Sequence, residues 1–219
     1  MIKNAHEIST SKGRKRAQRQ LDWVDHGILR YRLHNFAQIA PDAFRSNHPT
    51  PERFEAYADM GIKSILTLRG GEHQPQYLFE AEICDRLGLK LVSVPLSARQ
   101  APNVASLGML FDVFDQIETP FLMHCKSGAD RTGLASALYL LAYEGADIAT
   151  AKAQLSFRFY HIRRSAAGIL DHFLDTYEAS TNETGIGIRA WIATEYNADA
   201  LTASFAAKQK ALKLWQGWR

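Results

Sequence analysis

The sequence predicts an α/β protein with a central, mostly parallel β-sheet flanked by helices. Three observations carry this. Short runs rich in apolar and β-branched residues, KSILTL (63–68), LKLVSV (89–94) and FLMH (121–124), read as buried strands. Between them, 76–88 and 103–117 show helical spacing of their apolar residues. Strand and helix therefore alternate along the chain, which calls for crossover connections and parallel pairing.

The elements follow in order. Residues 1–20 carry six Lys or Arg and one Glu. That composition suits a tail or a solvated first helix, or a weak contact with an anionic membrane surface or partner. NFAQIAPDAFRSNHP reads as two short strands around the Ala40-Pro41-Asp42 turn. A helix starts after Thr50, a good N-cap, with Pro51 at its first position and Glu52 in its first turn, and it ends at Gly61. The helix 76–88 closes at Gly88, and 103–117 is stopped by Thr119-Pro120. After FLMH a helix is expected over roughly 132–144, ending at Gly145. Asp147 caps the next helix, and another covers 165–178. ASTNETGIG (179–187) looks like a linker, and a helical tail with Trp191, Phe205, Trp215 and Trp218 follows. This divides the chain into a basic segment 1–22, a main domain 23–180 and a helical extension 181–219.

The bulk numbers bound the function. The 219 residues fit one domain of ordinary size plus an extension. A hydrophobic fraction of 46% with 22% charged residues is ordinary for a globular protein. The net charge of +3 is too small to argue for nucleic acid and is compatible with acidic ligands. Two cysteines, Cys84 and Cys125, are too few for a disulfide framework. No apolar run approaches a membrane span, and the N-terminus lacks an apolar signal core. The expected compartment is the cytoplasm, where a thiol stays reduced, with a peripheral place at the inner membrane face left open. Oligomeric state is not legible.

The chemistry concentrates in FLMHCKSGADRTG (121–133). A strand ending in His124-Cys125, a loop with Gly128 and a helix from about Arg131 form a strand–loop–helix unit. Successive N–H groups in such a loop make a nest for an anion, and the helix N-terminus adds partial positive charge. Arg131 can grip two oxygens of a tetrahedral oxyanion at once. The same field favours the thiolate of Cys125, a nucleophile. His124 is placed to hold the loop, and Thr132 to donate to the sulfur as it leaves. The plain alternative, a buried structural cysteine beside a surface arginine, treats the spacing as accident.

The stretch HCKSGADRTG resembles the phosphate-binding loop of cysteine-dependent protein tyrosine phosphatases, His-Cys-x5-Arg-Thr-Gly. FRSNHPTPERFEAYADMGIKSILTLRGG and LVSVPL resemble the atypical dual-specificity branch of bacterial type, and the likeness covers roughly 35–145. It implies a tyrosine-phosphatase-like fold over the main domain and hydrolysis of phosphomonoesters through a phosphocysteine, without metal or other cofactor. Cys125 would be the nucleophile and Arg131 the phosphate clamp. The amides of Lys126, Ser127, Gly128, Ala129, Asp130 and Arg131 would form the cradle. The implied partner is a phosphorylated protein, such as one bearing phosphotyrosine, or a phospholipid or phosphoinositide.

One part of the family pattern is missing. The general acid normally comes from the loop after the strand that reads LVSVPL, and here that loop, SARQAPN (97–103), has no Asp or Glu. Asp130 is the nearest substitute. Relatives of the myotubularin and Sac types, and certain bacterial phosphatases ending in Lys-Asp-Arg, also place an Asp directly before the loop arginine, where it is a proposed acid. Two other readings stand beside it. The Asp130 carboxylate could turn outward and pair with a base such as Arg99 or Lys126, or the leaving oxygen could need no acid. Asp112 and Asp115 are expected in solvent. Lys126 and Arg99 would suit a substrate with more than one negative charge. Arg45 and Arg69, at strand ends, would hold loops or add to the basic floor. Cys84 reads as a buried structural thiol, or as a second thiol that traps oxidised Cys125. In the extension, Leu201, Phe205, Leu212 and Trp215 are at helical spacing, with Lys208, Lys210, Lys213 and Arg219 near the end. That helix would pack on the core or a second subunit, or lie in a membrane interface. The rival to an enzyme is a phosphate-binding module without turnover, which the missing acid favours.

Overall fold

The computed structural model describes residues 8–25 and 34–216, with side chains up to 211 apart from that of Val24. It divides into two compact units, Met1–Pro95 with Asp115–Gly128, and Leu96–Phe114 with Ala129–Arg219.

The first unit holds a five-stranded sheet built from β1 (Ala37–Ala40), β2 (Ala43–Asn47), β3 (Ser64–Thr67), β4 (Lys90–Ser93) and β5 (Phe121–Cys125). The order is β1-β2-β5-β3-β4. The β1–β2 hairpin is antiparallel, and every other pairing is parallel. The mostly parallel α/β sheet is the one expected. Central β5 is buried at all five residues, as a strand paired on both sides must be. Its register sets Asn47 opposite Cys125 on one side and Thr67 opposite His124 on the other.

Helices α1 (Ser11–Arg19), α2 (Pro51–Asp59) and α3 (Pro75–Leu87) belong to this unit. Phe54 and Tyr57 of α2, Ile83 and Cys84 of α3, Ile65 and Leu122 form one buried cluster on a single sheet face. Cys84 lies in that cluster, 1% exposed, and burial with nearby Glu80 pushes its thiol pKa far up. Strand alternation puts Leu122, which packs in the Cys84 cluster, and Cys125 on opposite faces of the sheet. Thr50 holds the N-cap of α2 through its carbonyl, which accepts from the Arg53 and Phe54 amides. Its side chain makes no cap bond. The basic N-terminal segment is helical from Ser11 and continues through a wider turn, Gln20–Val24. Thr10 Oγ1 caps it by accepting from Gly13 N at 3.0 Å. Arg14 ties it to α3 by a 2.7 Å bond to Glu82 and by lying over the Phe79 ring.

The second unit is helical, with α4 (Val104–Gln116, of which the last two residues belong to the first unit), α5 (Asp130–Tyr143), α6 (Ile148–Lys152), α7 (Ile169–Thr184), α8 (Ile188–Thr194) and α9 (Ala198–Gln216). Phe173 of α7, Trp191 of α8 and Tyr196 pack with ring centroids 4.9–5.3 Å apart. Edge-to-face contacts of this kind add to the area they bury. The Tyr196 hydroxyl donates to Pro102 O at 2.6 Å, which closes the α4 end of the unit.

Three expectations change here. Helix α5 starts at Asp130, two residues before the expected 132. Helix α7 starts at Ile169, after a single tight turn at Ala166–Gly168 that Ser165 caps. It then runs on to Thr184, through most of the expected linker. The Ser/Thr/Asn composition reads as loop because such side chains compete for backbone groups. Here the Thr184 hydroxyl donates back to Ser180 O and Thr181 Oγ1 to Ile186 O, so the competition is absorbed, and Gly185 ends the helix at φ 71°. In α9, Leu201 is buried and Phe205 leans on His172 of α7. The side chains of Leu212, Lys213 and Trp215, and residues Trp218 and Arg219, lie outside the described residues. Among the described residues no helix is long and apolar enough to cross a membrane.

Leu122→Ala removes a fully buried side chain from the centre of β5. It should cost about 3 kcal/mol in urea unfolding, while Met60→Ala, at a side chain 53% exposed, should stay within about 0.5 kcal/mol.

Candidate functional site

The site grows from the end of β5. The chain leaves the sheet at Cys125, 1% exposed, and turns through 126–129 into α5. Three successive carbonyls in this turn are claimed by the first unit. Lys126 O accepts from the His48 amide at 3.3 Å, Ser127 O from Asn35 Nδ2 at 3.0 Å and Gly128 O from Arg45 Nη2 at 2.6 Å. In a planar trans peptide the N–H points opposite to the preceding C=O. The amides of Ser127, Gly128 and Ala129 therefore point the other way, which is the arrangement an anion nest needs.

Gly128 is required twice. Its φ is 73°, and a Cβ there would lie 2.7 Å from Asn47 N and Ser46 O of β2. Arg45 is 0% exposed on β2, so its job is the loop carbonyl and not the surface. Asn35 doubles as a brace, its own amide donating to Asn47 Oδ1 at 3.3 Å.

Under the loop sits a buried polar cluster. His124 is hydrogen-bonded at both ring nitrogens, Nδ1 to Cys125 O at 3.2 Å and Nε2 to Glu80 Oε1 of α3 at 2.5 Å. His48 Nδ1 lies 3.9 Å from Glu80 Oε2. His124 thus links the last carbonyl of β5 to α3. Glu80, which no local pattern marked, is its anchor. These three residues offer ligand atoms within 4.8 Å of one another. They come from three distant elements, so no spacing in the sequence shows them. A cation bound there would have to break the His124–Glu80 hydrogen bond.

Arg69 follows β3. It grips Asp25 with two bonds, Nη1–Oδ2 at 2.9 Å and Nη2–Oδ1 at 2.7 Å. Burial lowers the Arg69 pKa, and the charges of Glu80 and Cys125 act against that. Lys126, half-exposed, lies 3.5 Å from the same Asp25. So Arg45 and Arg69 both hold chain segments, and the charge of Lys126 is shared with an internal acid.

The second unit supplies the rest of the motif. Ala129 is buried, Asp130 and Arg131 are half-buried in the first turn of α5, and Thr132 is fully buried. Thr132 Oγ1 has no hydrogen-bond partner among the described residues. Gly133 brings the helix close to the turn after α6, since a Cβ there would lie 2.7 Å from Gln154 O. Asp130 does pair with a base, but with neither Arg99 nor Lys126. Its Oδ1 accepts from His161 Nδ1 at 2.7 Å, and His161 Nε2 donates to Asp171 Oδ2 at 2.6 Å. Burial works against the charged ring, but the hydrogen bonds and charges of Asp130 and Asp171 prevail and raise the His161 pKa to about 9. Neither residue was marked by the sequence, because His161, in a turn, and Asp171, in α7, lie 31 and 41 residues beyond Asp130. Arg99 is exposed in the 97–103 segment, its amide donating to Ser97 Oγ at 3.3 Å, while Asp112 and Asp115 are exposed.

Known proteins resemble this chain in sequence and in fold. The family model of the Swiss Army Knife protein DSP-PTPase phosphatase domain matches residues 35–168. The dual specificity protein phosphatase TpbA of Pseudomonas aeruginosa (strain UCBPP-PA14) is 27% identical over 143 residues, 65% of this chain and 59% of that protein. The inositol diphosphatase SIW14 of Saccharomyces cerevisiae is 30% identical over 105 residues, 45% of this chain and 36% of that protein. The matches thus span less than two thirds of either relative. The crystal structure of P. aeruginosa TpbA superposes with a TM-score of 0.51 at 21% identity, over 68% of this chain and 91% of that one. The core catalytic domain of SIW14 in complex with citrate gives 0.53 at 21% identity, over 70% and 94%. At such identities the superpositions speak for the fold. The family match covers more than half of the chain and includes the whole 125–131 loop, so this chain belongs to the Swiss Army Knife family of DSP-PTPase phosphatase domains.

Proposed function

We propose that the protein is a cysteine-dependent phosphatase that hydrolyses phosphomonoesters through a phosphocysteine. The observation that carries this reading is the tying of the Lys126, Ser127 and Gly128 carbonyls, which leaves successive amides of the Cys125 loop pointing the other way, as an anion nest needs. Those amides and the Arg131 guanidinium bind the phosphoryl oxygens. The nest and the start of α5 favour the thiolate of Cys125, which attacks phosphorus as the P–O bond to the leaving group breaks. The leaving oxygen takes a proton from Asp130. Water then attacks phosphocysteine, Asp130 takes a proton back, and the sulfur departs with help from the Thr132 hydroxyl. The developing charge stays on fixed dipoles throughout.

The substrate class is a phosphoprotein, including phosphotyrosine, or a phospholipid or phosphoinositide. TpbA is named as a protein phosphatase, which supports the first class, and SIW14 as an inositol diphosphatase, whose phosphorylated inositol has the chemistry of a phosphoinositide headgroup without its lipid. A thiolate nucleophile fits a reducing, cytoplasmic setting, with a peripheral membrane position for a lipid substrate. The proposed catalytic domain spans 23–180, with 1–22 and 181–219 as additions.

Cys125→Ser should lower kcat on an aryl phosphate by at least about 10³-fold, and a chelator should leave the wild-type rate unchanged. Retained activity in Cys125→Ser would contradict the mechanism. Asp130→Asn should lower kcat by about 10²-fold on phenyl phosphate and far less on 4-nitrophenyl phosphate, whose leaving group needs little proton help. Gly128→Ala should lower kcat/KM by about 10²-fold, because the loop cannot keep its backbone against β2.

A further inference from the structure

We infer that His161 is a positioning residue for Asp130: the chain Asp171–His161–Asp130 pins one oxygen of the Asp130 carboxylate. This rests on the proton-transfer role proposed for Asp130.

Asp130 is not spent on its helix. The N-cap of α5 is Ala129, and no side chain caps it. The hydrogen bond that Asp130 makes goes to His161 Nδ1. That leaves Oδ2 for exchange with a reacting group, while the pinned Oδ1 limits rotation of the carboxylate. The side chain of Asp130 is 26% exposed, whereas that of His161 is 1% exposed and that of Asp171 9%. The chain thus runs from the interior to an open end at Asp130.

The turn that delivers His161 is tightly specified. Tyr160, just before it, has φ 63°, the one positive value at a non-glycine among the described residues. Such a conformation persists where surroundings hold it, and it marks functional turns. The His161 amide donates to Ser156 O at 3.1 Å. A Cβ on Gly168 would lie 2.0 Å from Arg163 O, so the far end of the turn is clamped as well.

The charges around the ring are Asp130 from α5, Asp171 from α7 and, on its own turn, Arg163. Arg163 lies 3.9 Å from Asp171 Oδ1 and 2.5 Å from Asp175 Oδ2. Lys152 of α6 is held by Asp175 and Glu178, each at 2.7 Å. Burial lowers the pKa of the ring, but the hydrogen bonds and charges of Asp130 and Asp171 outweigh it. The pKa of His161 rises from 6.5 to about 9, so the stability this group contributes is full below pH 6.5 and is lost as pH rises through about 9.

The test compares wild type with His161→Phe, which removes both donors at similar volume, and His161→Asn, which keeps an amide donor near the Nδ1 position. Rates on phenyl phosphate and 4-nitrophenyl phosphate are measured across pH, with melting temperature as a second readout. The expected result for His161→Phe is a loss of about 10-fold or more in kcat on phenyl phosphate, with a several-fold smaller loss on 4-nitrophenyl phosphate. The limb of the pH profile that Asp130→Asn abolishes should move in His161→Phe, because both ring hydrogen bonds of His161 are gone. His161→Asn should recover much of kcat but keep the shifted limb. The wild-type melting temperature should fall from pH 6.5 to 9 relative to that of His161→Asn. If His161→Phe does not fold, the limb and the melting comparison in His161→Asn decide. Equal losses on both substrates with an unmoved limb would make His161 merely structural and overturn the inference alone. No phosphate release by wild type from either ester would instead overturn the reading of Asp130 on which it rests.

Discussion

Between Lys126 and Gly128 the backbone turns three successive carbonyls towards the segments 35–48 and is held there by the His48 amide, the Asn35 side chain and the Arg45 guanidinium. Planar peptides then leave the intervening amides no choice of direction. Each restraint has its own requirement. Arg45 must be buried to reach Gly128, and a buried guanidinium must be bonded. Gly128 must lack a side chain because β2 backbone lies 2.7 Å from where a Cβ would be. β2 must lie parallel beside β5 so that Asn47 stands level with Cys125. The sheet order, the hairpin and the buried polar cluster around Glu80 all serve this one reversal of the chain.

The motif draws on two different supports. In the first unit, the thiol-bearing end is fixed by strand register, by His124 on Glu80, and by the Arg69–Asp25 pair, which takes in Lys126 as well. In the second unit, the acid-bearing end is fixed by α5 and by His161 with Asp171. The missing acid in 97–103 and the supported Asp130 are two sides of one arrangement. The proposed role of Asp130 on a helix start calls for a fixed partner, and the His161 ring between two aspartates supplies one.

Much of this was legible in the sequence. The strands and most helices declared themselves through apolar period and through Gly, Pro and Asp at their ends. HCKSGADRTG named the loop, and Arg45 and Arg69 stood out as strand-end bases. What stayed hidden was every partner that arrives from far along the chain. Glu80 and Asn35 look like ordinary polar residues until the fold sets them under the loop. His161 sits in FRFYHIRRS, a stretch whose composition suggests surface, and only the left-handed Tyr160 shows how its ring turns inward. Residues 179–184 read as linker because Ser and Thr favour turns locally, and helix packing with hydroxyl-to-carbonyl bonds overrode that preference. Local pattern reports local energetics, whereas a catalytic constellation is assembled by tertiary contacts.

The central claim is that the Cys125 sulfur becomes covalently phosphorylated. Acid quenching during turnover of a slow phosphomonoester, followed by intact-mass and peptide-mass measurement, tests it directly. The account predicts one phosphoryl group per chain, located on the peptide that contains Cys125 and absent from Cys125→Ser. Steady turnover with no phosphorylated Cys125 peptide at any quench time, or with the phosphoryl group on another residue, would contradict it.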